Sequence, residues 1–357
     1  MTPPVNLLDL TPALAAAALA QWATDTGEPA YRARQAMRRL WQSPVATWAD
    51  ATELPRPLAA RLNEVFPLPR PALATRQESR DGTVKYLWRL GDGAAIESVL
   101  IPEGRRRTLC ISSQAGCAFG CVFCATGRMG FQRHLAPWEI TAQVRELALI
   151  PEPVRPTNIV FMGMGEPLHN WNGVDTALTI LNDPAGFRLG ARHITVSTVG
   201  VVPGLLKLAA RPEQFRVALS LHAPTSDRRG PLMPVEKKYP LADVLTAMEQ
   251  FPKRVTFEYV MIQGANDGPE DATQLARLAI RLGALVNLLP LHPGGGDGLM
   301  PTPPEKIQAF AKRLKELGVA ATVRKSRGLD IKAACGQLRV EFERLGRVRT
   351  DEHAHVE

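Results

Sequence analysis

Thr108-Leu-Cys-Ile-Ser-Ser-Gln-Ala-Gly-Cys117-Ala-Phe-Gly-Cys121-Val-Phe-Cys124 joins a β-type apolar run to a loop with three thiols in eight residues. Downstream of it, β-rich runs alternate with helical stretches. Strands are expected at 108–113, 157–162, 192–198, 215–221, 254–262 and 284–291, with a further one near 319–325. Helices fit between them, at 137–149, 171–182, 240–250, 269–282 and 304–317 among others. Such alternation implies a parallel sheet with right-handed crossovers. Six or so units suit an α/β fold built as a partial (β/α)6 barrel; an open doubly wound sheet fits the same pattern.

Upstream, the character changes. Thr11 can cap a helix whose first residue is Pro12. A second helix over 29–42 carries Arg32, Arg34, Arg38 and Arg39, and a third runs through Leu58, Leu62 and Val65. Residues 1–66 thus read as a small helical domain, whose arginines are either a solvated face or an RNA-facing one. Residues 67–107 read as a linker (67–82, with Pro67, Pro69 and Pro71) and a β-hairpin extension. In that hairpin Val84, Tyr86 and Trp88 alternate before the Gly91-Asp92-Gly93 turn. Residues 108–345 form the core, and 346–357 a tail.

Lys and Arg number 43 against 35 Asp and Glu, a net charge of +8 that suits an acidic partner such as RNA. No apolar run approaches the roughly 20 residues of a membrane span. The N-terminus lacks the form of a signal peptide, so a cytoplasmic protein with no membrane partner is expected. Of five cysteines, four fall between Cys110 and Cys124, which is no secreted disulfide framework. Three thiolates can hold a [4Fe–4S] cluster and leave one iron open. Zinc is the competing occupant; its structural sites want four protein ligands, and Cys110 or His134 could supply the fourth. Further candidate loci end predicted strands, at Gly163-Met-Gly-Glu-Pro167, Ser197, Ser220-Leu-His222 and His292-Pro293. That edge is where parallel α/β folds bind ligands.

The Cys-x3-Cys-x2-Cys spacing resembles that of the radical S-adenosylmethionine (SAM) enzymes. The whole pattern resembles the RlmN/Cfr family of radical SAM RNA methyltransferases, its RlmN branch most. The motifs that carry this are Asn6-Leu-Leu-Asp-Leu-Thr11, Gly27-Glu-Pro-Ala-Tyr-Arg-Ala-Arg-Gln35, Cys110-Ile-Ser-Ser-Gln-Ala-Gly-Cys117 and Phe161-Met-Gly-Met-Gly-Glu-Pro167. Ser197-Thr-Val-Gly-Val-Val-Pro203, Ala218-Leu-Ser-Leu-His-Ala223 and Ala334-Cys-Gly-Gln337 follow in order.

The resemblance implies a radical SAM barrel that methylates C2 of adenosine in 23S rRNA, with tRNA as an open second substrate and C8 methylation as the Cfr-type alternative. It implies that Cys117, Cys121 and Cys124 bind the cluster, and that Gly165, Glu166, Ser197, Ser220, Leu221 and His222 contact SAM. It further implies that Cys335 carries the methyl group, that Cys110 is its disulfide partner in turnover, and that Glu97 accepts a proton. An external low-potential electron donor is required. His292 stands where the family typically has an Asn that contacts SAM. A non-catalytic zinc-containing RNA-binding protein is the reading from another class. Arg105–Arg107, Arg228-Arg229 and Lys237-Lys238 are candidate contacts to the RNA backbone.

Overall fold

The computed structural model describes residues 5–251, 255–292, 296, 298–334 and 336–338. Thr11 caps α1 (Pro12–Asp25), its side chain accepting from the Leu14 amide, with Pro12 in the first turn where no amide is needed. Helices α2 (Ala30–Trp41) and α3 (Arg56–Val65) complete the N-terminal unit. This unit is bolted to the rest by a buried arginine. Arg145 donates to the carbonyls of Leu40 and Val45 and pairs with Glu146, which also pairs with Arg70.

The expected linker contains a strand. Strand β1 (Ala72–Glu78) pairs antiparallel with β2 (Val84–Arg89), which pairs with β3 (Ala95–Glu103) and that with β4 (Arg106–Cys110). The hairpin is therefore a four-stranded arm. Strand β1 escapes sequence reading because it is an edge strand with six of its seven residues exposed, so no hydrophobic period marks it. The alternation read in β2 is also incomplete, because both faces are buried, Lys85 and Leu87 included.

Strand β4 continues into the parallel sheet. After a small hairpin of β5 (Gln114–Gly116) and β6 (Phe131–His134), with the short helix α4 (Ala125–Arg128) between them, the main chain alternates regularly. It runs α5 (Pro137–Arg145), β7 (Asn158–Phe161), α6 (Trp171–Asn182), β8 (Ile194–Thr198), α7 (Val202–Ala209), β9 (Arg216–Ser220), α8 (Ser226–Leu232) and α9 (Leu241–Met248). Then come β10 (Val255–Met261), α10 (Pro269–Leu282), β11 (Leu285–Pro290), α11 (Pro304–Glu316) and β12 (Ala321–Val323). The sheet order β4-β7-β8-β9-β10-β11-β12 follows the chain without reversal. A doubly wound sheet would reverse at a switch point. The fold is the partial barrel.

Register separates the two faces of this sheet. Ile159, Phe161, Ile194, Val196, Val217, Leu219, Phe257, Tyr259, Val286 and Leu288 are buried on the helix side, where Tyr259 stacks on Phe310 of α11. Each such burial contributes roughly 1.5–3 kcal/mol. The other face is more polar. Cys110, Thr195, Ser197, Ser220, Thr256, Glu258, Asn287 and Thr322 share it, as the pairings from β4 to β12 require. Packing hydrophobics outward under helices leaves this inner face available for chemistry.

Candidate active site

The cysteine loop is framed by the β5–β6 hairpin. Gly116 has φ +75°, and a Cβ there would sit 2.0 Å from the Gly130 carbonyl, so only glycine allows the close approach. The Cys117 amide donates to Gly130 O at 2.9 Å and the Cys124 amide to Cys121 O at 3.0 Å. Cys121 is buried; Cys117 and Cys124 are half-buried. Burial pushes the Cys117 thiol up to about 12, with nearby Glu166 and Cys124 adding to it. Cys121 is pushed up further, by burial and then by the charges of Cys124 and Cys117.

Three thiols in one short loop, with Cys117 and Cys121 held as neutral thiols by burial and neighbouring charge, call for a cationic group that rewards the thiolates. A cluster with several irons does this, binding each sulfur at its own metal. A single zinc fits less well. No three His, Cys, Asp or Glu side chains among the described residues converge on one metal position.

The loop after β7 lies alongside. Gly165 has φ +94°, and a Cβ would meet the Gln114 side chain at 2.5 Å. The Glu166 amide donates to Gln114 Oε1 at 2.8 Å. The Glu166 carboxylate is buried and accepts from the Leu168 amide at 2.9 Å and the Val199 amide at 2.8 Å, tying the loops after β7 and β8. Burial raises its pKa to about 7 against these lowering hydrogen bonds. Ser197 and Ser220 place their Oγ atoms 3.4 Å apart on the inner face. The Leu221 side chain is wholly buried, so only its backbone can face a ligand.

His222 is held in an uncommon backbone state, φ +56°, a strain typical of functional turns. Its Nδ1 accepts from the Val260 amide at 3.0 Å, its carbonyl accepts from Asn266 Nδ2 at 2.7 Å, and its ring meets Phe123 of the cysteine loop edge-on. The proton of the neutral ring is thereby assigned to Nε2. Burial, then Arg229, lowers its pKa to about 3. Between pH about 6.5 and 3 the unfolded chain binds this proton and the folded chain does not. Stability is therefore lost as pH falls through that window, by roughly 5 kcal/mol at most. The cluster-free His222→Asn protein, scanned for its unfolding midpoint against pH, is expected to lose that part of the acid sensitivity.

Cys110 ends β4, buried, opposite Val99 on β3 and Val160 on β7. Glu97 on β3 is buried on the same face and pairs with Lys85 at 3.6 Å. His292 follows β11, half-buried, with Nε2 2.7 Å from Ser326 Oγ, and burial lowers its pKa. Cys335 lies outside the described residues. Its neighbour Gly336 accepts a hydrogen bond from the Ala125 amide at 2.7 Å, one residue past Cys124.

Two expected RNA contacts change character. Arg229 is wholly buried, pairing with Glu236 at 2.5 Å and donating to the Leu221 and Val199 carbonyls, while Arg228 pairs with Asp271. Arg229 braces rim loops from inside, while Arg228 stays exposed with its charge committed to Asp271. Arg105, Arg106 and Arg107 are exposed, but Arg105 precedes β4 and Arg106 and Arg107 begin it, so all three lie at the end of the strand away from the cysteine loop. Arg34, Arg38, Lys237 and Lys238 are exposed and make no ion pair among the described residues. Arg39 is committed to Glu53.

Sequence reading missed the side chains that hold the rim together. Gln114 bridges Glu166, His134 and His169. Gln143 clamps both main-chain groups of Ser112 at 2.8 Å. Asn266 braces His222 and Val260. Isolated polar residues carry no period, so only burial reveals them.

A partial barrel with a three-thiol loop at its strand ends defines a radical SAM enzyme. The Radical SAM superfamily model matches residues 111–278, and the ribosomal RNA large subunit methyltransferase N-terminal domain matches 5–68. A probable dual-specificity RNA methyltransferase RlmN of Gemmatimonas aurantiaca is 57% identical, covering 100% of this chain and 99% of its own. The dual-specificity RNA methyltransferase RlmN of Anaeromyxobacter dehalogenans is 45% identical over 90% of each. A crystal structure of a radical SAM methyltransferase from Sphaerobacter thermophilus superposes with a TM-score of 0.87 at 41% identity, over 95% of this chain and 100% of that one. The chain belongs to the RlmN family of radical SAM RNA methyltransferases, and its cofactors are a [4Fe–4S] cluster and SAM.

Proposed function

We propose that this enzyme methylates C2 of an adenosine in 23S rRNA and of an adenosine in tRNA, carrying the new carbon on Cys335. The relatives named dual-specificity RNA methyltransferases support both substrates. The observation that carries the reading is the Ala125–Gly336 hydrogen bond, which stitches the segment bearing the fifth cysteine to the loop bearing Cys117, Cys121 and Cys124. Adenine C2 lies between two ring nitrogens and is too electron-poor to displace a methyl group from a sulfonium. When bound, the cluster and SAM supply one-electron chemistry, which zinc cannot.

In this reading Cys117, Cys121 and Cys124 hold the cluster, and Gly165, Glu166, Ser197, Ser220, His222, His292 and the Leu221 backbone orient SAM. Cys335 accepts a methyl group as a thiolate and presents it to the base. Exchange of hydrogen for carbon at C2 leaves a proton, which Glu97 accepts. The Cys110 thiolate attacks the Cys335 sulfur; the sulfur–carbon bond breaks, its electron pair and a proton complete the methyl group on the RNA, and the disulfide left on the enzyme is returned to thiols by an external reductant. The target base leaves its stack to reach the inner face. Residues 1–66, with Arg34 and Arg38, and Lys237 and Lys238 near the rim, hold RNA backbone; residues 108–345, joined by Glu97 from the β-strand arm, do the chemistry.

In this reading the enzyme works in the cytoplasm, where a reducing compartment suits its thiols, and takes electrons from an external low-potential donor. No helix among the described residues is long and apolar enough to cross a membrane. Mapping modified adenosines in RNA from cells with and without the gene tests the proposal. C2-methyladenosine in both RNAs is expected to depend on the gene, and C8-methyladenosine instead would overturn it.

A further inference from the structure

The buried Lys85–Glu97 pair is redundant as a structural tie. Strands β2 and β3 are already joined by a continuous ladder from Val84↔Leu100 to Arg89↔Ala95. Both charged side chains are nearly sequestered, at 6% and 5% exposure. An ion pair at such a place commonly gains nothing over well-packed apolar residues. Its location is informative. Lys85 pairs in register with Val99, and Val99 with Cys110, so Lys85, Glu97 and Cys110 share one face of three adjacent strands. The main chain at Glu97 is held, since its carbonyl accepts from Ser112 Oγ at 2.6 Å.

We propose that Lys85 is a positioning residue that keeps Glu97 ionised and fixed beside Cys110, ready to take the proton released at adenine C2. The inference rests on the assignment of Glu97 as proton acceptor made above. A buried carboxylate lacking a counter-ion takes up a proton, and one beside an ammonium stays ionised. An acceptor must be empty before it can act; burial favours the acid and a neighbouring ammonium favours the carboxylate, so Lys85 at 3.6 Å tips Glu97 toward the state that can act. The same ammonium resets the site. Once Glu97 is protonated, Lys85 is left as a buried charge without its partner, which drives the proton onward to solvent. The ring keeps the electron pair of the C–H bond.

The test uses the full-length, cluster-loaded enzyme with RNA bearing either hydrogen or deuterium at the target C2. Lys85→Met is expected to retain its iron and RNA affinity while kcat falls about 10²-fold, the scale of a lost general base. The C2-deuterium isotope effect is expected to rise above that of the parent enzyme, because proton removal becomes limiting, and Lys85→Arg to recover most of the rate. A readout without the cluster is infrared difference spectroscopy against Glu97→Gln. The parent protein is expected to show an ionised carboxylate band, and Lys85→Met a protonated carboxyl band. If Lys85→Met fails to fold, Lys85→Gln takes its place in every measurement.

Slow Glu97→Gln with an unaffected Lys85→Met would overturn the role of Lys85 and leave that of Glu97 standing. Normal turnover by Glu97→Gln would overturn the assignment of Glu97 itself. Equal loss in Lys85→Met and Lys85→Arg, with no change in isotope effect or infrared band, would reduce the pair to packing.

Discussion

The Cys335→Ala enzyme is expected to bind its cluster at the parent's iron content and to transfer no methyl group to RNA. The two halves of this result separate two functions of sulfur. The three loop thiols sit between β5 and α4, and their local hydrogen bonds run to Gly130 and within the loop, so the substitution leaves them intact. Carbon transfer is different. A methyl group held as a thioether presents C–H bonds that a radical can attack, and alanine offers no atom on which to hold it. Removal of a covalent nucleophile elsewhere costs on the order of 10⁶ in rate, which here means loss of detectable product. Iron and sulfide analysis beside mass spectrometry of the RNA checks both halves, and methylated RNA from this variant would remove Cys335 from the reaction.

Cys110→Ala is expected to stop one step later, with RNA covalently attached to the protein. Once carbon joins the base, the enzyme is still bonded to its product through sulfur. Release by thiolate attack on that sulfur needs a second thiol within reach. Cys110 lies at the end of β4 on the inner face, level with Val160 and near Glu97. Serine there keeps the size and polarity yet cannot form a disulfide, so Cys110→Ser is expected to accumulate the same adduct. Denaturing electrophoresis followed by ribonuclease digestion would show a nucleotide remnant on Cys335. Clean multiple turnover by either variant would show that release proceeds by another route.

Arg228-Arg229 shows why a basic dipeptide reads poorly from sequence. Adjacent residues enter different environments: Arg229 turns into the interior to meet Glu236, and its neighbour pairs with Asp271 on α10. Strand β1 shows a second kind of silence, because an exposed edge strand owes its conformation to backbone pairing with β2. The spacing of Cys117, Cys121 and Cys124 is legible for the opposite reason. Ligands to one group must lie within a few residues when a single loop supplies them all.

Local order was thus settled by the chain itself: Thr11 and Pro12 start α1, alternating apolar runs and helices demand a parallel α/β layer, and eight residues bring three thiols together. What the tertiary structure decided was long-range. The monotonic strand order made the sheet a partial barrel, because the direction of each crossover is a property of packing. The register placed Lys85, Glu97 and Cys110 on one inner face, since side-chain facing depends on which strands pair. Folding also brought Gly336 against Ala125 across more than two hundred residues, a contact that no local pattern encodes.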